Sequence, residues 1–162
     1  MTSGPHSRSM PPQPLRLRLK PKGPVTGHVD GGWWPRSRDL AAEVPELATV
    51  LSVRLGPIER VAYALDAWDS PPRRVDVDGR RVRLEGFRSQ DRDIVHLTGM
   101  GGQRVSLLVI PPDTSEAAGH DAMMTAAHRD NADTPASILR RAKSTRDSGR
   151  RLTSVNTARD AG

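Results

Sequence analysis

Leu15-Arg16-Leu17-Arg18-Leu19 alternates strictly between apolar and charged positions. Successive strand side chains point to opposite faces, so the run predicts a half-buried strand with leucines inward and arginines out. Pro21 and Pro24 end it, because proline cannot donate to a ladder. From Asp30 to Pro35 the chain reads as a turn and an extended piece, since Pro35 disfavours helix at Trp34. The period then changes. Leu40, Val44, Leu47, Leu51 and Leu55 recur at helical spacing, with Ser37 as the expected N-cap and Asp39 in the first turn. Pro45 should kink this helix or open a second one, and Gly56-Pro57 stops it.

Five strands should follow. Ile58 to Trp68 offers Val61, Tyr63 and Leu65 to one face, with Ala62, Ala64 and Trp68 on the other. In Val75 to Leu84, Asp78-Gly79 fits a two-residue type I′ hairpin turn. That register puts Val75, Val77, Val82 and Leu84 on one face and Asp76 opposite Arg81 on the other. A second hairpin joins Asp93–Leu97 to Gln103–Ile110 through Gly99-Met100-Gly101-Gly102. Its later strand is apolar on both faces, which predicts cover on both sides. After Pro111-Pro112, Asp113-Thr114-Ser115-Glu116 resembles a capping box for a helix to about His128. Thr134-Pro135 opens another through Ile138, Leu139 and Lys143.

The pattern predicts an α+β domain over residues 15–143: a curved antiparallel sheet of about five to six strands. An N-terminal helix and C-terminal helices lie on one side, comparable to a reduced helix-grip arrangement. Residues 1–14 are rich in Pro, Ser and Gly, and 144–162 form a basic tail; both carry too little apolar surface to fold and read as disordered arms.

Composition narrows this picture. The chain has 162 residues, an apolar fraction of 35% and no cysteine, which excludes disulfides and thiolate chemistry. No run of about 18 apolar residues occurs, and the N-terminus lacks the apolar stretch of a secretory signal, so a cytoplasmic protein without membrane contact is expected. The net charge of +6 is unevenly spread. Residues 1–36 hold six basic side chains against one acidic, and residues 129–162 hold eight against four. Residues 37–128 hold eleven against fourteen, which moves any nucleic-acid contact from the fold to the arms.

Candidate chemistry gathers around scarce aromatics, five in all. In Gly31-Gly32-Trp33-Trp34-Pro35-Arg36, adjacent tryptophans should face opposite ways, one into a core and one toward a surface where arginines can stack on it. With Trp68, and with Arg88 and Gln90 from the polar run Gly86-Phe87-Arg88-Ser89-Gln90, they outline a ligand-binding surface: Trp33, Trp34, Arg36, Trp68, Arg88 and Gln90. The competing reading makes the tryptophans purely structural, since aromatic rings dominate small cores by buried area. Asp66 and Asp69 beside Trp68 are the best carboxylate pair for acid–base work, but at i, i+3 they need not face one another, and Asp69 before Ser70-Pro71 is more simply a turn residue. The Gly99–Gly102 run leads into a strand and cannot cradle a phosphate as a dinucleotide turn does. His120 and His128 have no carboxylate at ligand spacing, so neither metal nor cofactor is implied.

Several of these segments resemble a family of small actinobacterial proteins known as a domain of unknown function. They are Leu19 to Pro24, Gly31 to Leu40, Leu65 to Asp69, Gly86 to Gln90 and Leu108 to Thr114. The likeness spans roughly 15–130 and implies one intracellular domain without an assigned reaction. Three functions stay open. One is a non-enzymatic binding module taking a small ligand or peptide on the Trp/Arg surface. The others are non-specific nucleic-acid association through the basic arms, and an enzyme built on Asp66 and Asp69.

Overall fold

The computed structural model describes residues 14–21 and 27–142. The expected arm and tail, 1–14 and 144–162, lie outside the described residues apart from Pro14.

The alternating runs become one open seven-stranded sheet, where the pattern predicted five to six strands. Its strands are β1 (Leu17–Leu19), β2 (Gly31–Trp33), β3 (Ile58–Ala64), β4 (Arg74–Val77), β5 (Arg80–Phe87), β6 (Ile94–Gly99) and β7 (Arg104–Val109). They lie in the order β1-β2-β7-β6-β3-β5-β4. β2 pairs with β7 and β3 with β5 in parallel; every other pair is antiparallel. The β4–β5 hairpin has the predicted register, Val75 opposite Val82 and Asp76 opposite Arg81. Its turn residues Asp78 and Gly79 sit at φ 52° and 80°, as a type I′ turn requires. The Gly99–Gly102 segment closes the β6–β7 hairpin, with Gly99 N–H donating to Gln103 O.

The mixed α+β class stands, but the helices divide between the two faces instead of sharing one. Helix α1 (Leu40–Leu55) buries Leu40, Val44, Leu47, Leu51 and Leu55 in a core with Val61, Val82, Val95, Leu97, Leu107 and Val109. Helix α2 (Glu116–Ala126) and a helix over residues 135–142 build a second core on Leu108 and Ile110 with Ala118, Ala122, Met123 and Ile138. The cause lies in β7: neighbours Leu107 and Leu108 are both fully buried, so each face needs its own layer.

Local differences have local causes. Asp39, not Ser37, caps α1, its carboxylate accepting from Ala42 N–H, while the Ser37 hydroxyl donates to Glu43 Oε2 at 2.8 Å. Pro45 lies inside the helix and does not split it into two elements. It removes one ladder bond, whereas the apolar stripe runs unbroken from Val44 through Leu55. β3 stops at Ala64 in a short 3-10 turn, Leu65–Ala67. That turn exposes Leu65 and brings Trp68 into the same core as Val61 and Tyr63, not to the opposite face. Ser115 caps α2, and the Thr134 hydroxyl accepts from Ser137 N–H at the last helix, as expected there.

Candidate functional site

The tryptophans go to opposite faces, as pleat geometry demands, but both faces are covered. Trp33 stacks on Trp68 inside the α1 core, ring centroids 5.6 Å apart and planes 20° apart. Trp34 enters the other core and is only 5% exposed. Its Nε1–H donates to Pro111 O at 3.1 Å, and the Arg16 guanidinium lies 3.8 Å over its ring. Arg16 also donates to the carbonyls of Trp34 and Pro35, so the cation clamps this corner from within the protein. Desolvation lowers the Arg16 pKa, with repulsion from Arg36 adding to it. Trp68 Nε1–H is buried without a hydrogen-bond partner among the described residues.

The remaining candidates lie elsewhere. Arg36 is exposed; its N–H donates to Glu43 Oε1 and its guanidinium reaches Pro14 O. Gln90 Nε2 donates to Ala62 O at 3.0 Å and Ile94 O at 2.9 Å, tying the β5–β6 loop to two strands. Arg88 sits exposed in that loop. Trp33 and Trp68 are therefore together, Trp34 lies across the sheet from them, and no single surface gathers all six. Asp66 and Asp69 are both exposed. Among the described residues no group of three or more metal-ligating side chains forms, and no helix is long and apolar enough to cross a membrane.

Among the described residues, half of one sheet face carries no covering element. Helix α2 packs on β1 and β2, and the second core ends at Leu108 and Ile94. Beyond it, strand parity is set by the α1 core. Because Val61, Val75, Val82, Leu97 and Val105 point inward, their neighbours point to the open side. Register then lines these neighbours up. Arg104 is opposite Thr98, Thr98 opposite Arg60, Arg60 beside Arg83, and Arg83 opposite Arg74. Four arginines and one threonine thus form a single row across five adjacent strands, spanning about 19 Å at ~4.8 Å per strand.

The next row is Ser106, His96, Ala62 and Glu85. Glu85 lies 3.7 Å from Arg60 and from Arg83, and Glu59 lies 3.8 Å from Arg83; all are half exposed, so these pairs hold loosely. Arg74 and Arg104 form no ion pair among the described residues. His96 Nδ1 and Ser106 Oγ are 2.7 Å apart, and Asp30 Oδ2 accepts from Ser106 N–H. Burial lowers the His96 pKa and Arg104 lowers it further, while Asp30 opposes both. A Ser–His pair is one element of nucleophilic catalysis, but here the carboxylate holds the serine backbone. The arrangement orders the face; it assembles no triad.

Sequence reasoning missed Arg60, Arg74, Arg83, Thr98 and Arg104 as a set. The signal present in the chain was their parity, each adjacent to an inward apolar residue; the strand order that joins them was not readable.

Residues 16–126 match the family of unknown function DUF5994, more than half of the chain. No curated protein and no solved structure matches it.

Proposed function

The chain belongs to family DUF5994, and we propose that it is a non-enzymatic binding module that holds a nucleic-acid phosphate backbone across the open half of its sheet. One observation carries this: Arg104, Arg60, Arg83 and Arg74 share a cross-strand row on a face that no described element covers. Guanidinium forks match phosphate oxygens in pairs, and a row of them suits a ligand whose negative charge repeats along a line. Ala62 in the middle of the adjoining row keeps the face low, so an extended ligand can lie flat. The row holds no aromatic side chain, which leaves the bases without a stacking platform and makes the contact independent of sequence. The excess of basic residues in 1–36 and 129–162 favours the same class of ligand.

This revises where the binding surface lies. The three tryptophans act as scaffold: Trp33 and Trp68 stack in the α1 core, Trp34 fills the second core, and the arginines on the neighbouring strands do the binding. The reading is tested by titrating a labelled duplex with the full-length chain and with a variant in which Arg60, Arg74, Arg83 and Arg104 are all alanine. Affinity should fall at least tenfold in the variant at 150 mM salt, roughly the loss of several phosphate contacts. Unchanged affinity in a folded variant would sink the proposal, and equal binding of polyglutamate would redirect it to an acidic protein partner.

A further inference from the structure

β4 begins at Arg74 whereas β5 continues to Phe87, so the sheet edge carries a notch where β5 has lost its outer partner. Leu84 N–H donates to Arg73 O at 2.8 Å just before the pairing ends. Amides alternate sides along a strand, so the Gly86 amide, two residues on, faces the same open side. The notch is an open concavity of about 360 Å³. Tyr63, Arg73, Arg74, Arg83, Leu84, Glu85 and Gly86 line it.

The composition of this notch is unlike that of the open face. A Cβ on Gly86 would meet the Leu65 side chain and come within 2.9 Å of Tyr63 Cζ, so the hydroxyl-bearing end of Tyr63 sits beside the glycine. Absence of a side chain at residue 86 is what lets Leu65 and Tyr63 pack this close to β5. Burial raises the Tyr63 pKa, which keeps its phenol protonated as a donor. Arg73 and Arg74 are exposed and form no ion pair among the described residues, whereas Arg83 is shared with Glu85 and Glu59. Three cations, a phenol and an edge amide share the notch with one carboxylate, Glu85, and one apolar side chain, Leu84.

We propose that the notch binds a small phosphomonoester carrying a planar heterocyclic ring, of nucleoside-monophosphate size. Arg73 and Arg74 take the phosphate oxygens, the Tyr63 hydroxyl and Gly86 amide donate to the same group, and the ring lies against Leu84. This goes beyond the binding of a polymer on the open face, and different residues report on each. Tyr63 and Arg73 belong to the notch alone; Arg60 and Arg104 belong to the row alone.

Calorimetric titration of the full-length chain with adenosine 5′-monophosphate tests it, with adenosine and inorganic phosphate titrated separately. Saturable one-to-one binding is expected, with each half of the ligand binding at least tenfold more weakly than the whole. Arg73→Ala and Tyr63→Phe should each weaken binding at least tenfold, and Arg104→Ala less than twofold. Three results would overturn the proposal: no saturable binding of the monophosphate, inorganic phosphate binding as tightly as the monophosphate, or Arg104→Ala costing as much as Arg73→Ala. A chain that binds duplex but not the monophosphate overturns the notch and leaves the open-face proposal standing.

Discussion

Converting Arg74 and Arg104 together to alanine in the full-length chain should flatten the salt dependence of duplex binding by a calculable amount. These are the two arginines of the row that no carboxylate shares among the described residues. Each phosphate neutralised by such a side chain releases condensed counterions and contributes about −0.9 to the slope of log K against log salt. Two contacts therefore contribute about −1.8, which over a fourfold rise in salt is roughly a 12-fold loss of affinity. Arg60 and Arg83 already lie 3.7–3.8 Å from Glu85 and Glu59, so they release fewer ions. Counting all four at full value bounds the row at about −3.6, roughly 150-fold over the same range. The measurement is fluorescence anisotropy of a labelled duplex at a series of salt concentrations between 50 and 200 mM. The wild-type slope should exceed that of the double variant by about 1.8, and two unrelated duplex sequences should differ less than twofold. The reasoning fails if the two slopes coincide. It fails in a more informative way if the slope collapses only when residues 144–162 are removed, because the tail alone would then hold the polymer.

Trp34→Ala should lower the unfolding free energy by about 3–5 kcal/mol in a urea titration, as much as Trp33→Ala, because both rings are buried; a near-wild-type midpoint would contradict its place in the second core. Gly119→Ala should destabilise by about 1–3 kcal/mol even though alanine is the better helix former. Its Cβ would come within 2.5–2.7 Å of the Trp34 ring, so a Trp34→Phe background should relieve part of the loss, which a double-mutant cycle measures. His96 has a lowered pKa in the fold, so the unfolded chain takes up its proton first as pH falls. Its contribution to stability is complete above the unfolded value of 6.5 and is lost as pH drops from there toward the folded value. Unfolding free energies at pH 7.5 and 5.5 should therefore differ more in wild type than in His96→Asn, and an equal difference would refute this.

Legibility followed the range of the interaction. The Asp78-Gly79 turn, the alternation in Val75–Leu84 and the helical stripe at Leu40–Leu55 are set within about 16 residues, and each was readable where it occurred. Opposite faces for Trp33 and Trp34 followed from pleat geometry; what did not follow was that a second helical layer covers Trp34. The clue was β7, apolar on both sides, but nothing local says that the layer over its second face reaches the Trp34 ring. Charge failed for a related reason. Counted along the chain, the acidic residues of 37–128 outnumber the basic ones, yet several acids, such as Asp66, Asp69, Asp91 and Asp113, lie outside the strands. Arg60, Arg74, Arg83 and Arg104 all sit on strands at positions adjacent to an inward valine. Parity decides which face a strand side chain takes, and register decides its neighbours. Segment charge contains neither. A one-residue slip of any one of these strands would bury its arginine against α1 and lift a valine into the row, so the core that fixes register also holds the basic face together.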